Sequence, residues 1–264
     1  MIRWSRVGVL LQKEWLDVWQ RPGVKFTLLF PVMLLTLMAV LALYAGGMAG
    51  PSRTLPSHLP TLMQRASRRE VMQYLALSPF LLLWLIFPVS VPTALAAYSI
   101  VGEKEEGTLE PLLATPIGTS ELLLAKAIAA GLPGLLLLTI PFSATLLAGT
   151  LLDCPRVMAA TLFSGAWLLT LLLVAPTLTF CSVMLVVLIS SRAQDVRSAN
   201  QMGSLLVLPL ILLFVSQVSH GLVLDVRMVF ICWIGLMVVG FGLMSLAVRL
   251  FQREAILVRW KQGR

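Results

Sequence analysis

Six apolar stretches, each long enough to cross a bilayer, limit what this chain can fold into more than any other feature. They cover about Phe26–Met48, Pro79–Val101, Glu121–Leu147, Val157–Ser190, Met202–Val218 and Met228–Phe251. A hydrocarbon layer about 30 Å thick takes roughly 20 apolar residues in a helix. Within it, only helices and closed barrels satisfy every backbone N–H and C=O. Charged residues make up 12% of the chain, against about 25% in an ordinary soluble domain, so a water-facing surface cannot be built. The expected fold class is an all-α integral membrane protein with six transmembrane helices. Soluble enzymes, disordered tails and disulfide scaffolds are excluded.

Two further points concern the spans themselves. The fourth stretch has 34 residues and would reach about 51 Å as one helix. It is therefore expected to tilt, to extend into the cytoplasm or to break near Pro176. It counts as one span because no charge interrupts it before Arg192. Pro31, Pro88, Pro92, Pro133, Pro141, Pro176 and Pro209 lie inside spans. They are expected to mark kinks, with neighbouring helices taking the carbonyls they free.

The charges set the orientation. With a cytoplasmic N-terminus, fourteen basic residues fall inside and six outside (Arg53, Arg65, Arg68, Arg69, Arg156 and Arg227). Basic residues favour the cytoplasmic side, so both termini are expected there. The net charge of +8 then needs no nucleic-acid partner. Deep within the spans the polar residues are mostly Ser and Thr, with Gln217 near an outer end. Proton and ion relays rely on intramembrane acids, His or Lys, and their absence argues against an ion-coupled transporter or channel acting alone. A membrane-embedded enzyme lacks a convergent acid, base, nucleophile or metal set. His58 and His220 read as loop residues, and no metal site is expected. Cys154, Cys181 and Cys232 read as buried small hydrophobes. Of the tryptophans, Trp4, Trp15, Trp19 and Trp260 suit an interfacial belt, while Trp84, Trp167 and Trp233 are candidates to line a path.

The segments between spans carry the specific signals. No cleavable signal peptide is expected, because residues 1–23 are amphipathic. Trp4, Val7, Leu11, Trp15 and Val18 form one apolar stripe, which reads as an interfacial elbow helix with Trp19 beside it. The outer loop Ala49–Ser78 is expected to be the largest soluble piece, with a short helix over Thr61–Tyr74. The inner loop between spans two and three is dense in acid on an otherwise basic side. Thr108 is positioned to cap a short helix with Glu110 in its first turn. Leu109, Leu112 and Leu113 give that helix an apolar face, and Thr115-Pro116 ends it. A structured connector and a docking element for a soluble partner both fit these residues.

Glu103-Lys104-Glu105-Glu106-Gly107-Thr108-Leu109-Glu110-Pro111-Leu112-Leu113-Ala114-Thr115-Pro116 resembles the signature of ABC-2 type transporter permeases. The elbow with Lys13-Glu14-Trp15 and the tail Leu250–Leu257 are similar to the family's ends. One departure is the turn Gly118–Ser120, where many members carry a basic residue. The resemblance implies the transmembrane subunit of an ATP-binding-cassette exporter. Two permease chains, identical or different, would form the substrate path, and two cytosolic ATPase subunits would drive it. Gly107–Thr115 would be the coupling helix seated on the ATPase, with Glu103, Glu105 and Glu106 at the end of span two. The chain would be a single transmembrane domain: elbow 1–23, spans within 26–251 and cytoplasmic tail 252–264. Its implied setting is a bacterial or archaeal inner or plasma membrane. No G-x-x-x-x-G-K-[ST] phosphate loop occurs in the sequence, so ATP and magnesium are expected on the partner subunit. No cofactor is expected in this chain.

Overall fold

The computed structural model describes residues 22–48, 60–99, 119–190, 196–220 and 225–250. Among these residues every regular element is helical, and six stretches are long and apolar enough to span a membrane. The elements are α1 (Pro22–Met48), α2 (Arg68–Trp84), α3 (Phe87–Ala97), α4 (Thr119–Leu137), α5 (Thr139–Leu151), α6 (Pro155–Ala160), α7 (Gly165–Leu169), α8 (Ala175–Ser190), α9 (Val196–Ser204), α10 (Val207–His220) and α11 (Val226–Leu250). A π-helical turn, Thr170–Val174, joins α7 to α8. The spans are α1, α2 with α3, α4 with α5, α7 with α8, α9 with α10, and α11.

The expected count of six spans holds, but several boundaries move. The second span runs from Arg68 to Ser99 rather than from Pro79. Ser67 caps its first turn: Glu70 N–H donates to Ser67 Oγ (3.3 Å), and Ser67 N–H donates to Glu70 Oε2 (2.7 Å). This reciprocal capping box starts a helix where the sequence reading had an outer loop, so Ala49–Ser78 is not one soluble piece. The helix expected over Thr61–Tyr74 is instead a turn followed by α2. The fourth span is Gly165–Ser190, because the stretch 157–190 breaks at 161–164. There Thr161 closes α6, and Ser164 Oγ accepts the Trp167 N–H (3.3 Å) to begin α7. The third, fifth and sixth spans are Lys126–Leu151, Arg197–Ser219 and Val226–Val248.

Interruptions within spans follow one rule. The turns at Leu85–Ile86, at Leu138 and at Leu205–Leu206, and the π-helical turn at Thr170–Val174, each lie just before a proline: Pro88, Pro141, Pro209 and Pro176. A proline lacks the N–H that its i−4 carbonyl expects, and the preceding turn regroups its hydrogen bonds. Leu85 and Ile86 donate to Leu82 and Leu83, three residues back (3.1 and 3.0 Å). Ala175 donates to Thr170, five residues back. The helix assignment runs on through Pro31, Pro79, Pro92 and Pro133.

The second span is the axis of the bundle. In its most apolar window 72% of residues are buried, against 11% in the last span. α3 packs against α4, α8 and α9, while α2 packs against α1 and α10. Pro92 deprives the Pro88 carbonyl of its helical donor, and the Thr179 hydroxyl of α8 donates to that carbonyl at 3.0 Å. Small residues let the neighbours close in on the same place. A Cβ on Gly134 of α4 would sit 2.9 Å from Pro92 Cδ, and a Cβ on Gly203 of α9 would overlap Thr93. Close approach at small residues is how helices associate in lipid, where hydrophobic attraction between them is missing. The outward faces of α1, α10 and α11 are apolar, with Met33, Leu37, Leu212, Ile231, Val238 and Phe241 all exposed. Cys232 is exposed on α11, so the expectation that all three cysteines are buried fails there, because α11 is peripheral.

Thr179→Val keeps the side-chain shape and strands the Pro88 carbonyl. It is expected to cost about 1 kcal/mol of stability, read by equilibrium unfolding in mixed micelles. Gly134→Val is expected to cost about 1–3 kcal/mol through overpacking in the same assay. Gly242→Ala, where an added Cβ meets nothing within 4 Å, is expected to change stability by less than about 0.5 kcal/mol.

Candidate functional site

The residues expected to couple to a partner, Glu103, Glu105, Glu106, Gly107, Thr108, Leu109, Glu110, Leu112, Leu113 and Thr115, lie outside the described residues. So do Trp4, Trp15 and Trp19 of the expected elbow. The described helices on either side of 100–118 do define how that segment is held. α3 widens at its end into a π-helical turn at Tyr98–Ser99, and α4 begins at Thr119. Lys126, two turns into α4, is 5% exposed. Its Nζ donates to the Ser99 carbonyl (3.0 Å) and to Ser99 Oγ (2.6 Å).

This contact is chemically pointed. Lys126 is the one charged residue in the described buried set, and an ammonium in an apolar bundle is costly unless it finds partners. The end of a helix offers carbonyls and the negative end of its dipole. Ala96, Ala97, Ala127, Ala130, Val187 and Ala199 pack together beside it, so α3, α4, α8 and α9 meet through small side chains. Both stems of segment 100–118 therefore leave from one packed block. The sequence reading placed Lys126 with the cytoplasmic connections and did not foresee its burial.

Elsewhere within the spans several hydroxyls are spent on the backbone, while Thr145 Oγ1 is buried without a partner. Thr93 donates to Val89 O (2.5 Å), Thr177 to Leu173 O (2.7 Å), Ser182 to Leu178 O (2.7 Å) and Ser190 to Val187 O (2.7 Å). Among the described residues no three His, Cys, Asp or Glu side chains gather as metal ligands would.

At the opposite end of the bundle, the Ser67 end, lies a cleft of about 720 Å³. Its wall combines α2 (Tyr74, Ser78), α7 (Trp167), α10 (Gln217) and the start of α11 (Asp225, Val226), with Phe163 from the α6–α7 turn. Local geometry explains this placement. After α5, Asp153 adopts a left-handed conformation (φ 51°), and Cys154 N–H reaches back to Gly149 O (3.1 Å) while Asp153 N–H reaches Thr150 O (3.3 Å). This pair is a Schellman ending with Asp in the usual glycine position, and it turns the chain into α6. The Arg156 guanidinium lies 3.7 Å from Glu70 Oε2, which places the start of α6 beside the capped start of α2. The Trp167 ring meets the buried Trp84 edge to face, with centroids 6.0 Å apart. Trp233 lies on peripheral α11 against Phe230. Of the three tryptophans flagged as path candidates, Trp167 lines this cleft, Trp84 backs it and Trp233 lies apart from it. The box Ser67-x-x-Glu70 is the sequence signal that would have located the cleft's α2 wall.

No curated protein matches the chain. Residues 5–219 match the family described as ABC-2 type transporter, a range that includes segment 100–118, its two stems and five of the six spans. The match and the six apolar spans agree in kind. The chain therefore belongs to the ABC-2 type transporter family and is an integral, multi-pass membrane component of a transporter.

Proposed function

We propose that the chain is the permease subunit of an ATP-driven exporter, paired with a second permease chain and worked by two copies of a separate cytosolic ATPase. The observation that carries this reading is the family match across segment 100–118. That segment also holds the acidic run and Gly-Thr…Thr-Pro pattern that resemble the family's coupling helix. The fourteen-to-six distribution of basic residues supports placing both termini and the Ser99 end in the cytoplasm. The Ser67 end then faces outward.

The geometry suggests how movement would pass. An ATPase grips Gly107–Thr115, and closure of the nucleotide-bound pair shifts that segment. The Lys126–Ser99 contact passes the shift into α3 and α4 together rather than letting the segment flex alone. α3 is the buried axis, so its displacement reaches the whole bundle as a switch between packings. Proline-adjacent turns in four of the spans give that switch places to bend.

Single cysteines at Leu109 or Thr115 are expected to crosslink to the ATPase subunit, with yields that differ between nucleotide-free and nucleotide-bound states. No crosslink in either state removes the docking reading. Lys126→Met is expected to leave crosslinking in place while abolishing most of its nucleotide dependence. A charge-assisted hydrogen bond is worth about 1.5–3 kcal/mol, enough to shift a balanced two-state equilibrium by roughly tenfold or more. Unchanged nucleotide dependence in Lys126→Met would show that the clamp does not transmit.

A further inference from the structure

The cleft at the Ser67 end has a chemistry that the transport reading does not use. Its volume of about 720 Å³ falls within the roughly 300–1,000 Å³ of small-molecule sites. Three aromatic side chains line it, Tyr74, Phe163 and Trp167. Among the described residues, Asp225 is the single charged side chain in its wall, and no Lys or Arg lines it. Gln217 is 8% exposed and its Oε1 has no hydrogen-bond partner. The Trp167 indole N–H is likewise unpartnered, at 2% exposure.

A buried acceptor without a donor is expensive, costing about 1–3 kcal/mol, and such groups call for an explanation. The cleft presents a carboxylate and an unused amide oxygen, both acceptors, beside aromatic faces, together with one unused donor, the Trp167 indole N–H. Aromatic faces attract cations through their quadrupole, most strongly those of Trp and Tyr, and a carboxylate adds a counter-charge. An anion would find no basic group among the described residues of the lining.

We propose that this cleft binds an organic cation: a flat or alkyl hydrophobic body carrying a positively charged nitrogen with at least one N–H to donate. The body lies against Tyr74, Phe163 and Trp167, the charge faces Asp225, and the N–H fills the empty acceptor of Gln217. As a binding site this stands by itself. Only its role, as an outward subsite for cargo, rests on the permease reading.

The test uses the full chain in nanodiscs of zwitterionic phosphatidylcholine, without ATPase. It is titrated with ethidium (cationic, with amino N–H donors), 1-N-phenylnaphthylamine (uncharged) and 8-anilinonaphthalene-1-sulfonate (anionic). Ethidium is expected to saturate at one site per chain. Asp225→Asn is expected to weaken it about tenfold while leaving the uncharged probe unchanged. Asn caps helices as well as Asp, so the Asp225 cap on the Val226 N–H (2.8 Å) survives that change. Gln217→Leu is expected to weaken ethidium several-fold while raising the unfolding temperature of the ligand-free chain, because the orphaned oxygen is gone. A purely structural glutamine would lower that temperature instead. Unsaturable partition of ethidium equal in all variants, or the sulfonate binding as tightly as ethidium, overturns the proposal. Because no ATPase is present, such a failure leaves the permease reading untouched, and failure of the Leu109 and Thr115 crosslinks leaves this site standing.

Discussion

The hydroxyl of Thr179 on the carbonyl of Pro88 is the contact around which the bundle is arranged. In a bilayer each unsatisfied backbone group costs several kcal/mol, and Pro92 leaves one at the centre of the most buried span. One hydroxyl on α8 relieves it and fixes the α3–α8 register. Gly134 and Gly203 bring α4 and α9 close to the same point, at Pro92 and Thr93. Pro88, Pro141, Pro176 and Pro209 are managed within their own spans, by regrouped turns just upstream, and the helices run on through Pro31, Pro79 and Pro133. The spans are thus kept jointed yet hydrogen-bonded, a combination suited to a bundle that changes packing.

The two ends of the bundle then differ in kind. At the Ser99 end, packing is by alanine and a buried ammonium, and α3 and α4 behave as one piece. At the Ser67 end, helices are capped individually, α6 and α7 are short, and a cleft opens between α2, α7, α10 and the start of α11. A closely packed end beside segment 100–118 and an open end opposite it fit the proposed permease, which would receive motion at one side and meet its ligand at the other.

Much of this was legible in the sequence, and the reasons are physical. Apolar length alone gave six spans, because a bilayer leaves the backbone no alternative. Four of the seven prolines flagged within spans, Pro88, Pro141, Pro176 and Pro209, announced an interruption, since the missing N–H is a covalent fact, while the helix continues through Pro31, Pro92 and Pro133. Boundaries were harder. Val71–Leu77 is as apolar as a span, but Arg68, Arg69 and Glu70 disguised it as loop, and only the Ser67–Glu70 box reveals the helix start. The break at 161–164 and the Asp153 ending carry no strong sequence signal, because neither a proline nor a glycine sits at the critical position. The partners of Lys126 and Thr179 lie 27 and 91 residues away, a separation that periodicity cannot read. The proposed coupling residues lie outside the described residues and rest on the family signature alone.

On the proposed reading this chain supplies the membrane route, and a detachable subunit supplies hydrolysis. The most direct measurement is ATP hydrolysis by the chain purified gently from its native membrane, before and after peripheral subunits are stripped, with the chain's helicity checked throughout. Hydrolysis lost on stripping and restored when the stripped fraction returns is the predicted result. Hydrolysis that persists in the stripped chain, or that is absent from the gently purified material, would contradict it.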